Sequence, residues 1–84
     1  MKPYIKIYFA HFGIDAGEFI PCEVCNRTAV DIHHIHSRKM GGSKSMDTIE
    51  NLMALCRLCH IEYGDKKQYV QMLTEKHKEK LMQL

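Results

Sequence analysis

No stretch of the chain is apolar for long enough to cross a bilayer as a helix, and Met1-Lys2-Pro3-Tyr4 lacks the apolar run of a secretory signal. The expected setting is a reducing cytoplasm, with no membrane partner. Internal repeats and long linkers are missing as well. So is a decisive charge: 12 Lys and Arg against 10 Asp and Glu leave +2, too little for bulk electrostatics to indicate a polyanionic partner. Length is also scarce. The 84 residues are expected to form one domain spanning 1–84. A core of that size supplies only roughly 3–5 kcal/mol, so a further staple is needed.

The staple is written in the cysteines. Cys22 and Cys25 form one Cys-x-x-Cys pair, and Cys56 and Cys59 form a second. Two such arms place four sulfurs to close a tetrahedron around one structural Zn²⁺. A structural zinc contributes on the order of 10–16 kcal/mol of apparent binding free energy, more than the core, so folding is expected to depend on it. Two disulfides are the alternative, but they belong to small secreted chains. A redox dithiol is a third reading, and the thioredoxin-like βαβ pattern that would accompany it is absent.

Periodicity places the rest. Ile5, Tyr8, Phe9 and Phe12 have helical spacing over residues 3–12, and Gly13 is a helix stop. The alternation Ile5-Lys6-Ile7 also permits a strand. Pro21 to Asn26 reads as a zinc knuckle, and Ala29 to His36 as a strand. Ser37 to Asp47, with Gly41-Gly42-Ser43, is too rich in Gly and Ser for regular structure. A second short strand should lead through Asn51–Leu55 into the second knuckle. A helix should start near Cys56–Arg57, carry His60 and end at Gly64. Tyr69, Val70, Leu73, His77 and Leu81 mark an amphipathic helix over 66–84. The fold class is therefore small α+β: two zinc knuckles bracketing a β-β-α unit, with helices at either end.

Four sulfurs already fill a zinc shell, so the histidines are left for a second task. Along a strand, Asp31 and His33 share a face and His34 points the other way. His60 follows Cys59 directly, so the zinc would fix its backbone. Imidazoles from a strand and a helix can converge on one divalent ion and leave positions open for water and a phosphate oxygen. His11 and His77 read as surface residues or satisfied hydrogen-bonders. His36 either touches a phosphate or caps the turn. Arg38, Lys39 and Lys44 have no acidic residue among them. A basic segment beside a metal site suits a phosphate backbone, to which Lys66, Lys67, Lys76, Lys78 and Lys80 would add, although the C-terminal lysines also read as a solvated helix face.

These residues resemble the HNH endonuclease family in its zinc-ribbon form, common among phage and bacterial proteins. The resemblance runs over about residues 20–63, the motif core. It is carried by Cys22-Glu23-Val24-Cys25, by Asp31-Ile32-His33-His34-Ile35-His36, by Gly41-Gly42, and by Asn51-Leu52-Met53-Ala54-Leu55-Cys56-Arg57-Leu58-Cys59-His60. It implies a ββα-metal finger, also called a His-Me finger, and divalent-metal-dependent cleavage of DNA phosphodiesters. By resemblance, His34 is the general base, His33 and His60 are catalytic metal ligands, and Asn51 ties the loop and orients the base. Some relatives carry another metal-binding histidine one helical turn after the last motif residue. Here that position is Gly64, which leaves the ligand set open, and Asp31 is a further candidate ligand.

The resemblance implies hydrolysis that leaves 5′-phosphate and 3′-hydroxyl ends. Imidazole ligands favour Mn²⁺, Co²⁺, Ni²⁺ or Zn²⁺ over Mg²⁺, and an Asp31 ligand would move the balance back toward Mg²⁺ and Mn²⁺; Mn²⁺ is the expected ion. One chain offers one active site, so a monomer should act as a nickase with weak sequence preference. Double-strand cleavage would require a dimer. The competing class is a non-catalytic zinc-ribbon module that binds DNA or protein, which would need the cysteines but not His33, His34, Asn51 and His60 in register.

Overall fold

The computed structural model describes residues 2–36 and 46–83. The chain opens with helix α1 (Pro3–Phe12). Pro3 sits in its first turn, where a missing N–H costs nothing, and Gly13 closes it in the left-handed conformation with φ 65. The helical reading of this segment therefore prevails over the strand that Ile5-Lys6-Ile7 also allowed. The first knuckle follows, and then strand β1 (Asp31–His34) pairs antiparallel with β2 (Leu52–Leu55), Asp31 opposite Leu55 and His34 opposite Leu52. Helix α2 (Arg57–Tyr63) starts at Cys56. After a 3-10 turn at Lys67–Tyr69, helix α3 (Val70–Leu81) completes the described chain. This is the expected small α+β architecture, with β1, β2 and α2 as its ββα unit.

Two boundaries differ from the periodicity. The first strand pairs over four residues and not over Ala29–His36, because its partner is bounded by a 3-10 turn at Ile49–Asn51 and by the Cys56 cap. The ladder extends by single hydrogen bonds, Val30 N–H to Leu55 O and Ile35 N–H to Asn51 O. The last α-helix starts at Val70, later than residue 66. Asp65 has φ 57 and Lys66 is extended, so the chain must first turn.

Strand β2 is buried along its whole length, and its alternation builds two cores. Met53 and Leu55 pack with Cys22, Ile35, Cys56, Cys59 and Leu73, against Tyr63 and Val70. Leu52 and Ala54 pack with Tyr8, against Phe9, Phe12 and Ile32. A strand covered on both faces needs apolar side chains at every position, as Leu-Met-Ala-Leu supplies.

One polar cluster ties these layers together. The Glu23 side chain, between the first two cysteines, is 1 % exposed. It accepts hydrogen bonds from Tyr8 Oη at 2.6 Å and from Ala54 N–H at 3.0 Å, and its other oxygen lies 2.7 Å from His77 Nδ1. His77 Nε2 donates to the Ile49 carbonyl. A single carboxylate thus joins α1, β2 and α3 to the knuckle. Burial alone would lower the His77 pKa, but the Glu23 carboxylate and the Ile49 carbonyl outweigh it and raise the value. Burial and the same carboxylate push the Tyr8 phenol up. Every buried polar group of the cluster is satisfied.

Candidate active site and metal centres

The four cysteines converge. Their Sγ atoms lie within 4.8 Å of one another, and Cys25 and Cys56 are 3.6 Å apart. Sulfurs on a tetrahedral zinc with Zn–S near 2.3 Å would be separated by about 3.8 Å, whereas a disulfide would need about 2.05 Å. All four are reduced, and the set fits a structural zinc. The first knuckle turns at Asn26, which takes φ 67 and donates its N–H to Cys22 O. Asparagine tolerates that conformation well. The second knuckle is the start of α2: Cys56 Sγ accepts from Cys59 N–H, and this backbone donor leads in lowering the Cys56 thiol to about 7. A lowered thiol suits metal ligation. Burial drives Cys59 the other way. Cys25 alone of the four is exposed.

A second group of donors comes from β1, α2 and the turn after α2. His33 from β1, His60 from α2 and Asp65 just beyond it each offer a ligand atom within 4.8 Å of the other two. His33 is 5 % exposed, and its Nε2 has no hydrogen-bond partner among the described residues. Burial lowers its pKa, and the neighbouring His60 pushes the same way. His60 Nδ1 lies 2.9 Å from Asp31 Oδ2. A carboxylate can only accept, so Nδ1 carries the proton and Nε2 presents its lone pair. The two imidazole rings stand 4.8 Å apart between centroids. A buried imidazole nitrogen without a donor, beside a second open imidazole and a carboxylate, fits a divalent cation.

His34 points to the opposite face of β1. Its ring meets Tyr4 of α1 edge-on, at 4.6 Å between centroids. Its Nε2 is 2.7 Å from Asp47 Oδ1, a carboxylate whose side chain is 8 % exposed. Again the carboxylate fixes the proton, here on Nε2, and leaves Nδ1 as the basic nitrogen. Asn51 is 6 % exposed and spans the two chain segments. Its Oδ1 accepts from His36 N–H at 2.7 Å, and its Nδ2 donates to His36 O and Met46 O, each at 3.0 Å. His36 enters this lattice through its backbone. Arg38, Lys39, Lys44 and the Gly41-Gly42 pair lie outside the described residues.

Sequence reasoning did not find Asp65, Asp47 or Glu23. Asp65 had a signal, an acidic residue directly after the glycine that replaces a ligand position. Asp47 and Glu23 had none, because each meets its histidine 13 and 54 positions away in the chain.

Among the described residues no helix is long and apolar enough to cross a membrane. Comparisons with curated proteins and with solved structures gave no match. The family model for HNH endonucleases matches residues 22–66, from the first zinc cysteine to just past Asp65. That match takes in more than half of the chain and every histidine and cysteine of the two clusters: the chain belongs to the HNH endonuclease family.

Proposed function

We propose that this chain is a divalent-metal-dependent DNA endonuclease, that residues 1–84 act as one domain, and that it nicks one strand of duplex DNA with weak sequence preference. HNH endonuclease domains act on DNA and bind divalent metals. The observation that carries the reading is the buried Nε2 of His33 beside His60, unpartnered among the described residues. A module built only to hold zinc has no use for it, since four thiolates complete that shell.

His33 and His60 would hold the catalytic ion, and Asp31 would keep the His60 ring in the tautomer that ligation needs. When bound, such an ion supplies positive charge at the phosphate under attack. His34 acts from the other face of β1. With Nε2–H held by Asp47, Nδ1 is left to take the proton from the attacking water. The new bond forms between that oxygen and phosphorus, the P–O3′ bond breaks, the departing O3′ takes a proton from solvent water, and the products are a 5′-phosphate and a 3′-hydroxyl. Asn51 holds both chain segments that flank the base. Arg38, Lys39 and Lys44 would contact the DNA backbone without distinguishing ground state from transition state. Two imidazole donors make Mn²⁺ the expected ion, with Co²⁺, Ni²⁺, Zn²⁺ and Mg²⁺ as the comparison set.

The test is supercoiled plasmid with the zinc-loaded protein and each of these ions in turn. A monomer with one site converts supercoiled DNA to open circles, and linear product appears late. Linear DNA formed as fast as open circles, with enzyme below plasmid concentration, would indicate a dimer. DNA binding without cleavage under any of the five ions would make the chain a non-catalytic zinc module.

A further inference from the structure

We propose that Asp65 is the third protein ligand of the catalytic ion, completing a two-histidine, one-carboxylate set, and that the Gly64-Asp65 turn exists to deliver it. The inference rests on the reading that His33 and His60 hold that ion.

The first argument is the space at residue 64. This is the position one helical turn beyond His60, where a further ligand on α2 would have to stand. A Cβ placed on Gly64 would lie 2.5 Å from the His60 carbonyl oxygen, 2.6 Å from His60 Cδ2 and 3.4 Å from His33 Cε1. The nearest of these is helix backbone, which cannot swing aside as a side-chain tip can. Its neighbour is the imidazole that must hold metal. Residue 64 is therefore closed to every side chain, and no ligand can come from it.

The second argument is what the chain does next. Gly64 leaves the helix in an extended conformation, φ −70 and ψ 143, with its N–H capping His60 O. Asp65 then takes φ 57, a region that Asp and Asn enter more readily than other side chains. Its carboxylate comes to rest within 4.8 Å of the donor nitrogens of both His33 and His60. Donors sharing one ion at about 2.0–2.2 Å lie no more than about 4.4 Å apart, so the three are close to ligating separation. His33, whose buried Nε2 has no hydrogen-bond partner among the described residues, belongs to this same cluster.

The third argument divides labour between two acids. Asp31 Oδ2 is engaged with His60 Nδ1 at 2.9 Å. Asp31 would thus orient a ligand, whereas the Asp65 carboxylate lies within 4.8 Å of a ligand atom on each histidine and would bind the ion itself. A carboxylate added to two imidazoles also bears on ion choice. Oxygen donors suit Mn²⁺ and Mg²⁺, and nitrogen donors suit Ni²⁺ and Zn²⁺.

The experiment measures Mn²⁺ and Ni²⁺ binding to the zinc-loaded chain, by electron paramagnetic resonance of unbound Mn²⁺ and by Ni²⁺ calorimetry, alongside thermal melting. Asp65→Asn keeps the shape and the tolerance for positive φ but removes the charge. It should weaken Mn²⁺ by at least about tenfold, the smallest loss usual when even an outer-shell partner is removed. It should weaken Ni²⁺ less, so the Mn²⁺-to-Ni²⁺ affinity ratio falls, and melting of the zinc-loaded chain without added Mn²⁺ or Ni²⁺ identifies any loss of fold separately. Asp65→Glu, with a longer carboxylate, should recover part of the Mn²⁺ affinity. A merely structural Asp65 would shift melting and leave that ratio alone. If His33→Ala and His60→Ala lose Mn²⁺ while Asp65→Asn binds both ions as the wild type does, the two-histidine site stands and the third ligand is refuted. If neither histidine variant changes Mn²⁺ binding, the underlying site assignment has failed.

Discussion

Glu23→Ala should be among the most damaging single substitutions outside the zinc ligands. It removes the acceptor shared by Tyr8 Oη, Ala54 N–H and His77 Nδ1 and leaves three donors buried. Each unsatisfied group costs about 1–3 kcal/mol. Breaking a buried ion pair from one side typically costs roughly 3–5 kcal/mol in total, because some water enters and the terms do not add. At about 4–8 °C per kcal/mol for a domain of this size, the melting temperature should fall by roughly 15–30 °C. Glu23→Gln should behave differently. Its amide oxygen can still accept from Tyr8 and Ala54, and its NH₂ can donate to a neutral His77 whose Nε2–H still reaches Ile49. The cost should be near that of one ordinary hydrogen bond, about 0.5–1.5 kcal/mol. The pair also predicts a pH signature. His77 has a raised folded pKa, so its contribution is fully present below the ordinary imidazole value of 6.5 and fades as pH rises through the folded value. Glu50, the other acid acting on His77, adds to the same direction. Melting of zinc-saturated wild type should decline relative to Glu23→Gln as pH rises above the ordinary imidazole value of 6.5. Calorimetric melting of the three proteins decides the matter. A Glu23→Ala variant melting within a few degrees of wild type, or a Glu23→Gln variant as damaged as Glu23→Ala, would refute the network's role.

Stripping the four-cysteine site with a strong chelator should unfold the chain, since metal binding and folding are one equilibrium in so small a domain; native helix content that survives by circular dichroism in a metal-free sample would refute it. His34→Ala should keep zinc and DNA affinity but lose about 10²–10⁴ in cleavage rate, the share of a general base, and a near-normal single-turnover rate would remove His34 from that role.

Local patterns carried the fold well. Cys-x-x-Cys spacing located both knuckles, and Cys59-His60 placed the histidine on α2. The two-residue period correctly separated Asp31 and His33, which both lie beside His60, from His34, which meets Tyr4. What stayed hidden has a physical reason in each case. The start of α3 depends on the left-handed turn at Asp65, and no periodicity reports a single φ. His77 stood in the apolar series of the last helix yet read as a surface or satisfied residue. It is satisfied, but buried, and the acid that satisfies it sits in a knuckle where a glutamate reads as solvated. Asp31 offered itself as a ligand by sharing the His33 face. Only the 2.9 Å contact with His60 Nδ1 shows the closer partnership.

The order of the zinc cysteines bears on how the chain is made. Cys22 and Cys25 leave the ribosome first, and at about 5–20 residues per second their partners Cys56 and Cys59 follow roughly 2–6 s later. During that interval the nascent chain holds two thiols and β1, with no second strand to cover His33. Cys59, His60 and Asp65 then emerge almost together, so the sulfur cage and the second donor cluster are completed in one short step. Neither can exist in a truncated product that stops before Cys56. A chain abandoned midway through translation therefore carries the histidines of β1 but neither complete donor cluster.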